Sequence, residues 1–147
     1  MPGSTTDSFS LASRVEEIDG ARLWLAAHMR AAGYGDDDVW ALELALTEAL
    51  ANVVHHAYGG DPTQRIDLEL DVSPSRTTVT ITDSGAPFDP AAYEPAPLDT
   101  PRSGGYGVHL MREVMDEVAA TATPDGGTQL RLTKYRSPGI QPPRSRP

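Results

Sequence analysis

Three features of the sequence predict an α+β layered fold. Two long segments near the start carry apolar residues at helical spacing. After them the period shortens to two. The strand-like runs then come in pairs around tight turns, without strict β-α-β alternation.

The first helical pattern runs from about Leu11 to Ala32. It places Val15, Ile18, Ala21, Leu25, Ala26 and Met29 at helical spacing, and Gly33-Tyr34-Gly35 closes it. Asp36, Asp37 and Asp38 follow, where carboxylates suit the positive end of the next helix dipole. That second helix has Val39, Leu42, Leu46, Ala49, Leu50 and Val53 as its apolar face and is expected to end at Gly59-Gly60. Ile66, Leu68, Leu70 and Val72 then alternate with Asp67, Glu69 and Asp71 as a half-buried strand. Pro74-Ser75 turns the chain into a hairpin partner, Thr77 to Thr82.

Between Ala86 and Ser103 stand Pro87, Pro90, Pro95, Pro97 and Pro101, which forbid a central strand or an intact long helix there. A loop of this length in a compact domain is expected to be a lid or binding loop. Gly104-Gly105-Tyr106-Gly107 opens a third expected helix, with Val108, Leu110, Met111, Val114, Met115 and Val118 as its apolar face. A second hairpin, Val118 to Thr123 and Thr128 to Tyr135, flanks the turn Pro124-Asp125-Gly126-Gly127.

The chain of 147 residues is one domain by length, expected over residues 1–136. Ser137 to Pro147 hold four prolines and one large apolar side chain, Ile140, and read as a flexible tail. The formal net charge of −9 argues against a general nucleic-acid binder. It is uneven: from Gly126 onward there are five bases and no acid, so the preceding residues are more acidic still. The absence of cysteine excludes a disulfide scaffold, a thiolate zinc site and a cysteine nucleophile. No apolar run has the length of a membrane span, and the first residues lack the basic and apolar regions of an export signal. A cytoplasmic protein with no membrane partner is therefore expected.

Three local patterns carry chemistry. Glu48, Asn52, His55 and His56 share one helix face, and Asn52 is a poor helix former that needs a reason to sit mid-helix. A solvated helix face would account for Glu48 and the histidines alone. Asp83 closes an apolar strand with Gly85 two residues on, an ordinary turn except that it feeds the proline-rich loop. Gly104-Gly105-Tyr106-Gly107 at a helix start suits a phosphate, though neither a Rossmann fingerprint nor the lysine of a P-loop accompanies it.

In this order, Glu48-x-x-x-Asn52, Asp83-x-Gly85, Gly105-x-Gly107 and Gly127-Thr128 resemble the four nucleotide-binding boxes of the GHKL (Bergerat-fold) ATPases. The stretch Leu44 to Tyr58, the stretch Gly104 to Met111 and the segment Met115-Asp116-Glu117-Val118 are similar to the bacterial anti-sigma factor serine/threonine kinases. The resemblance covers roughly residues 8 to 135. It implies a two-layer α/β sandwich, a mixed β-sheet with helices on one face, that binds ATP with Mg²⁺.

Site roles follow from the resemblance, residue by residue. Asn52 gives its carbonyl oxygen to Mg²⁺, and Asp83 accepts from the adenine amino group, which guanine lacks. Gly85 lets the chain pass close under the base, and Thr128 supports Asp83 and the base. Gly105 and Gly107 hold phosphates, and Arg102 is a lid cation for the γ-phosphate. Glu48 acts on the attacking hydroxyl as general base. One of His55 and His56 packs or caps near the phosphates, and the other is structural. The first glycine-containing box, Asp83-Ser84-Gly85-Ala86-Pro87-Phe88, is the shortened form without a second glycine. The implied partners are a sigma factor, a STAS-domain anti-anti-sigma factor that receives the phosphate, and a second copy of the chain. An ATP-dependent binding switch without phosphoryl transfer and a stand-alone ATPase remain as alternatives.

Overall fold

The computed structural model describes residues 3–86 and 113–138. The chain lays down β1 (Thr5–Ala12), α1 (Val15–Ala31), α2 (Asp36–Asn52) and a π-helical segment (Val53–Ala57). Four strands follow: β2 (Arg65–Val72), β3 (Arg76–Asp83), β4 (Glu117–Ala122) and β5 (Thr128–Tyr135). They form one five-stranded sheet in the order β1-β2-β3-β5-β4.

Period two decides which face is covered. In β2 the buried residues are Ile66, Leu68, Leu70 and Val72, and in β3 they are Thr77, Val79, Ile81 and Asp83. Both helices lie against this face, α1 over β1 and β2, α2 over β3 and β5. Their apolar stripes meet the sheet: Ile18, Ala21, Leu25, Ala26 and Met29 from α1, and Val39, Leu42, Leu46, Ala49 and Leu50 from α2. Arg22 of α1 donates to Glu43 of α2 at 2.7 Å and pins the two helices side by side. The sheet's other face is polar, with Thr78, Thr80, Arg76 and Arg131 along a broad shallow groove of about 930 Å³. The α+β class and its two layers are therefore as the sequence predicts.

The pairing pattern and several boundaries differ. A mixed sheet is expected, yet every pairing among the described strands is antiparallel. The reason is the strand order: β2 separates β1 from β3 and β5 separates β3 from β4, so no two strands that run the same way are neighbours. Leu11 is not the start of a helix but an inward residue of β1, and α1 begins at Val15. Most of β1 is exposed, with only Phe9 and Leu11 as large apolar residues, so its alternation is faint. Val118 lies in β4 rather than in a helix. Only the last turn of the third expected helix, at 113–114, falls within the described residues. The expected lid lies almost wholly outside them. No helix among the described residues is long and apolar enough to cross a membrane.

The end of β5 is fastened to the helix layer by two side chains. Arg136 donates to the carbonyls of Ala32 and Gly33 at 3.3 and 2.7 Å, just past the end of α1. Its guanidinium also lies over the Tyr34 ring at 5.2 Å from the centroid. Asp38, buried in the first turn of α2, accepts from the Ser137 N–H at 2.8 Å and from the Ser137 hydroxyl at 2.6 Å. Three aspartates begin α2, and burial singles out this one for tertiary work. Replacing Asp38 with Ala leaves two donors unpaired, so stability in a urea unfolding series should fall by ~1.5–3 kcal/mol. Asp37→Ala, on the exposed side of the same turn, should cost well under half of that.

Candidate functional site

The site is built where β3, β5 and the end of the α2 segment converge. Asp83 is the last residue of β3 and falls on the inward phase of the strand, 4% exposed. The chain turns at once, and the Gly85 N–H donates back to the Asp83 carboxylate at 2.9 Å. Such a turn is a common use of aspartate; the uncommon part is that its carboxylate is buried among core residues. Burial pushes the Asp83 carboxyl above its ordinary value of 3.8, and the Gly85 N–H pulls the other way.

Two glycines make room for this turn. A Cβ on Gly85 would stand 2.3 Å from the Ala57 carbonyl oxygen and 2.9 Å from the Tyr58 ring. A Cβ on Gly127 would stand 2.0 Å from the Asp83 carbonyl oxygen. Neither glycine has a left-handed φ, so space and not backbone freedom requires them. The Asp83 turn is thus seated between the Ala57-Tyr58 backbone on one side and Gly127 on the other. Ala86 N–H donates to the same Ala57 carbonyl at 2.8 Å and completes the seat. Thr128, buried, is paired directly opposite Asp83 in the β3–β5 ladder.

The helical side of the site ends in a π-helical segment. α2 runs as an α-helix to Asn52, and Val53–Ala57 then widens, with Tyr58 N–H bonding to Val53 O at 3.0 Å. Widened turns of this kind recur at functional sites. Asn52 stands at the junction, and its amide nitrogen is sealed from solvent without a partner among the described residues. A buried amide with an uncommitted end is costly unless something else takes it up. Glu48 lies one turn earlier, half-buried on the same side of the helix.

Of the residues marked out by the sequence, the structure gathers Asp83, Gly85, Gly127 and Thr128 around one turn and sets Asn52 and Glu48 along the helix leading to it. His55 and His56 are exposed. His55 opens onto a shallow cleft of about 380 Å³ with Ser13, Arg14 and Glu16 at the start of α1. No three His, Cys, Asp or Glu side chains gather as a metal site among the described residues. Arg102, Gly105 and Gly107 lie outside the described residues. Sequence reasoning missed the parts played by Ala57 and Tyr58, which bear on the turn through backbone and ring; a carbonyl leaves no signal in composition or spacing.

Two outcomes test this geometry. The folded-state pKa of Asp83 lies above the unfolded one, so the unfolded chain releases this proton first as pH rises. Stability is then lost between the ordinary value of 3.8 and the raised folded value. Nucleotide-free Asp83→Asn, which keeps an oxygen for the Gly85 N–H, should melt above wild type at neutral pH, with the gain vanishing at acid pH. Gly85→Ala should do the opposite at every pH, costing ~1–3 kcal/mol in thermal or urea unfolding, because backbone atoms meet the new methyl.

Comparison with known proteins places the chain by family and fold. The family model described as "Histidine kinase-like ATPase domain" matches residues 11–134. The chain is 31% identical over 131 residues to the serine-protein kinase RsbW of Bacillus licheniformis, a match covering 84% of this chain and 81% of that protein. It is 32% identical over 128 residues to the serine-protein kinase RsbW of Bacillus subtilis, covering 82% and 79%. In fold it is similar to the crystal structure of the RsbU and RsbW domains of a Mycobacterium tuberculosis protein, with a TM-score of 0.66 at 17% identity. That match covers 91% of this chain and 33% of the other, so this chain spans a third of that one's length. It is also similar to the SiaB-SiaC complex from Pseudomonas aeruginosa, with a TM-score of 0.61 at 15% identity, covering 88% of this chain and 89% of that one. With most of its length matched by the family model and by two RsbW kinases, this chain belongs to the histidine kinase-like ATPase domain family.

Proposed function

We propose that the chain is an anti-sigma factor with ATP-dependent serine/threonine protein kinase activity that works by partner switching. It sequesters a sigma factor, and it phosphorylates a serine or threonine on a STAS-domain anti-anti-sigma factor. The observation that carries the reading is the buried Asp83 in its two-glycine seat, found in a chain related to serine-protein kinases.

The residues fit ATP chemically. A buried carboxylate at the end of a strand is an acceptor for an exocyclic amino group and meets a guanine carbonyl with no donor between them. The missing Cβ of Gly85 leaves room for a flat base to approach the backbone. Thr128, opposite Asp83, supports the same end. By resemblance to the family, Asn52 gives its side-chain oxygen to Mg²⁺, a hard cation that accepts one neutral oxygen beside phosphate oxygens and water; its sealed amide nitrogen is a donor, free for an acceptor oxygen of the nucleotide and not for the cation. When bound, Mg²⁺ neutralises charge on the β- and γ-phosphate oxygens. Arg102, Gly105 and Gly107 take the phosphates by resemblance to the family.

Glu48 sits one helical turn before Asn52, toward the phosphate end. It accepts the proton of the partner's hydroxyl as that oxygen bonds to the γ-phosphorus, and the bond from phosphorus to the β–γ bridging oxygen breaks to leave ADP. The catalytic unit is residues 1–136, with Ser137 of the following segment still fastened to it through Asp38. The acidic charge of the chain up to Asp125 suits the basic surfaces of a sigma factor, and the protein works in the cytoplasm as a homodimer, away from nucleic acid and membrane.

Phosphate transfer from radiolabelled ATP to a STAS-domain partner, run beside a sigma-factor pull-down, tests the reading. Glu48→Gln keeps the reach of the side chain but cannot take a proton, so transfer should slow by ~10²–10⁴ while nucleotide and sigma factor still bind. Asn52→Ala should instead weaken Mg-ATP binding itself. Wild-type protein that holds a sigma factor yet phosphorylates no STAS partner would leave the binding switch, and ATP turnover without any acceptor would leave the stand-alone ATPase.

A further inference from the structure

Two ends of the site, the helical end with Glu48 and Asn52 and the Asp83 turn, belong to different layers of the fold. One hydroxyl joins them. Tyr58 follows the π-helical segment directly. Its hydroxyl donates to the Arg65 carbonyl at 2.8 Å and accepts from the Ser84 N–H at 2.7 Å. A phenol has one proton to give and lone pairs to receive with, so both capacities are in use.

The two backbone groups that it bridges are partners that do not meet. The β2–β3 ladder pairs Val72 with Thr77 and continues to Asp67 opposite Thr82. Carried two residues further, the same register sets Arg65 opposite Ser84. The Tyr58 hydroxyl stands between them, where the ladder would otherwise let the Ser84 N–H meet the Arg65 carbonyl directly. The pairing of β3 with β2 ends at Thr82, while its pairing with β5 reaches one residue further, to Asp83 opposite Thr128. The Tyr58 ring also lies against Gly85, since a Cβ there would be 2.9 Å from the ring edge.

We infer that Tyr58 is a positioning residue for recognition of the nucleotide base: its hydroxyl, inserted between Arg65 and Ser84, sets where the Asp83 carboxylate is presented. The inference rests on the reading of Asp83 as the acceptor for the adenine amino group. Removal of the hydroxyl leaves Ser84 and Arg65 either unpaired or free to close on each other, and in both cases Asp83 shifts. The phosphate end, fixed by α2, stays where it is. The signature is thus a loss confined to the amino group of the base.

The experiment measures affinities of full-length wild type and Tyr58→Phe for Mg-ATP and Mg-ITP by calorimetry or displacement. ITP carries a carbonyl where adenine carries the amino group, so it offers Asp83 no exocyclic donor. Tyr58→Phe should weaken ATP about tenfold, the order expected for backbone groups that lose their partner, and ITP less than twofold. Equal losses for the two nucleotides would make Tyr58 a general support of the fold, and no loss for ATP would make the bridge idle; either overturns the inference. Amide exchange of nucleotide-free wild type gives a reading that depends on no variant. The Ser84 N–H should exchange slowly, and exchange at the unprotected rate overturns the bridge. Wild-type protein that binds ATP and ITP alike would overturn the Asp83 reading, and the inference that stands on it, even if the Ser84 amide is protected.

Discussion

The last inward position of β3 is a carboxylate, and the surrounding structure answers to that placement. Strand periodicity puts Thr77, Val79, Ile81 and Asp83 on one side of the sheet, under the helix layer. A charged group there is desolvated, and one backbone N–H from Gly85 compensates only in part. What keeps the arrangement standing is the fit of the turn around it. Gly127 admits the Asp83 carbonyl, Gly85 admits the Ala57 carbonyl, and the Ala86 N–H donates to that Ala57 carbonyl. In its proposed role as acceptor for the adenine amino group, a carboxylate desolvated in this way gains from a donor that the ligand delivers, and on that reading activity and stability are drawn in opposite directions at this residue.

The scaffold behind the turn is plain by comparison. Two amphipathic helices lie on one face of an antiparallel sheet, and residues such as Leu25, Met29, Leu42, Leu46, Ile66, Leu68, Ile81 and Leu132 fill the space between. The polar fastenings sit at the rim. Arg22 with Glu43 joins helix to helix, and Arg136 with Ser137 joins the last strand to the α1–α2 corner. Because the sheet and α2 share this core, Glu48 and Asn52 on the helix and the Asp83 turn on the sheet are carried by one body, and the small bonds at 57–58 and 84–86 adjust only their final approach.

The legible part of the fold was the part with strong periodicity. α2, β2, β3 and β5 carry long runs of apolar residues at one spacing, and their buried faces match the residues that the pattern marks. β1 was hidden because its outward residues and its edge position leave Phe9 and Leu11 alone to signal it, and Leu11 fitted the phase of the following helix equally well. The antiparallel pairing of the sheet is a matter of which strand intervenes between β3 and β4, and nothing local in either strand records that. In the site, Glu48, Asn52, Asp83, Gly85 and Thr128 stood out through residue type and order, as a family pattern. Tyr58 did not, because its part is played through the carbonyl of Arg65 and the N–H of Ser84, groups that every sequence has everywhere. Asp38 was visible as one acid of three, but only the exit path of β5 tells which one is buried.

The widened turn at Val53–Ala57 has a consequence for how the sequence can change. An α-helix advances about 100° per residue, and the π-helical segment absorbs one extra residue before Tyr58 leaves the helix. That extra residue sets the angular phase between the side chain of Asn52 and the ring of Tyr58. Deleting one residue from the segment would regularise the helix and preserve its hydrophobic character, yet it would turn one end of the site against the other by a large fraction of a right angle or more. Substitutions in these five positions are therefore a question of volume, whereas a single insertion or deletion is a question of phase, and the second kind is closed to this chain however conservative its chemistry.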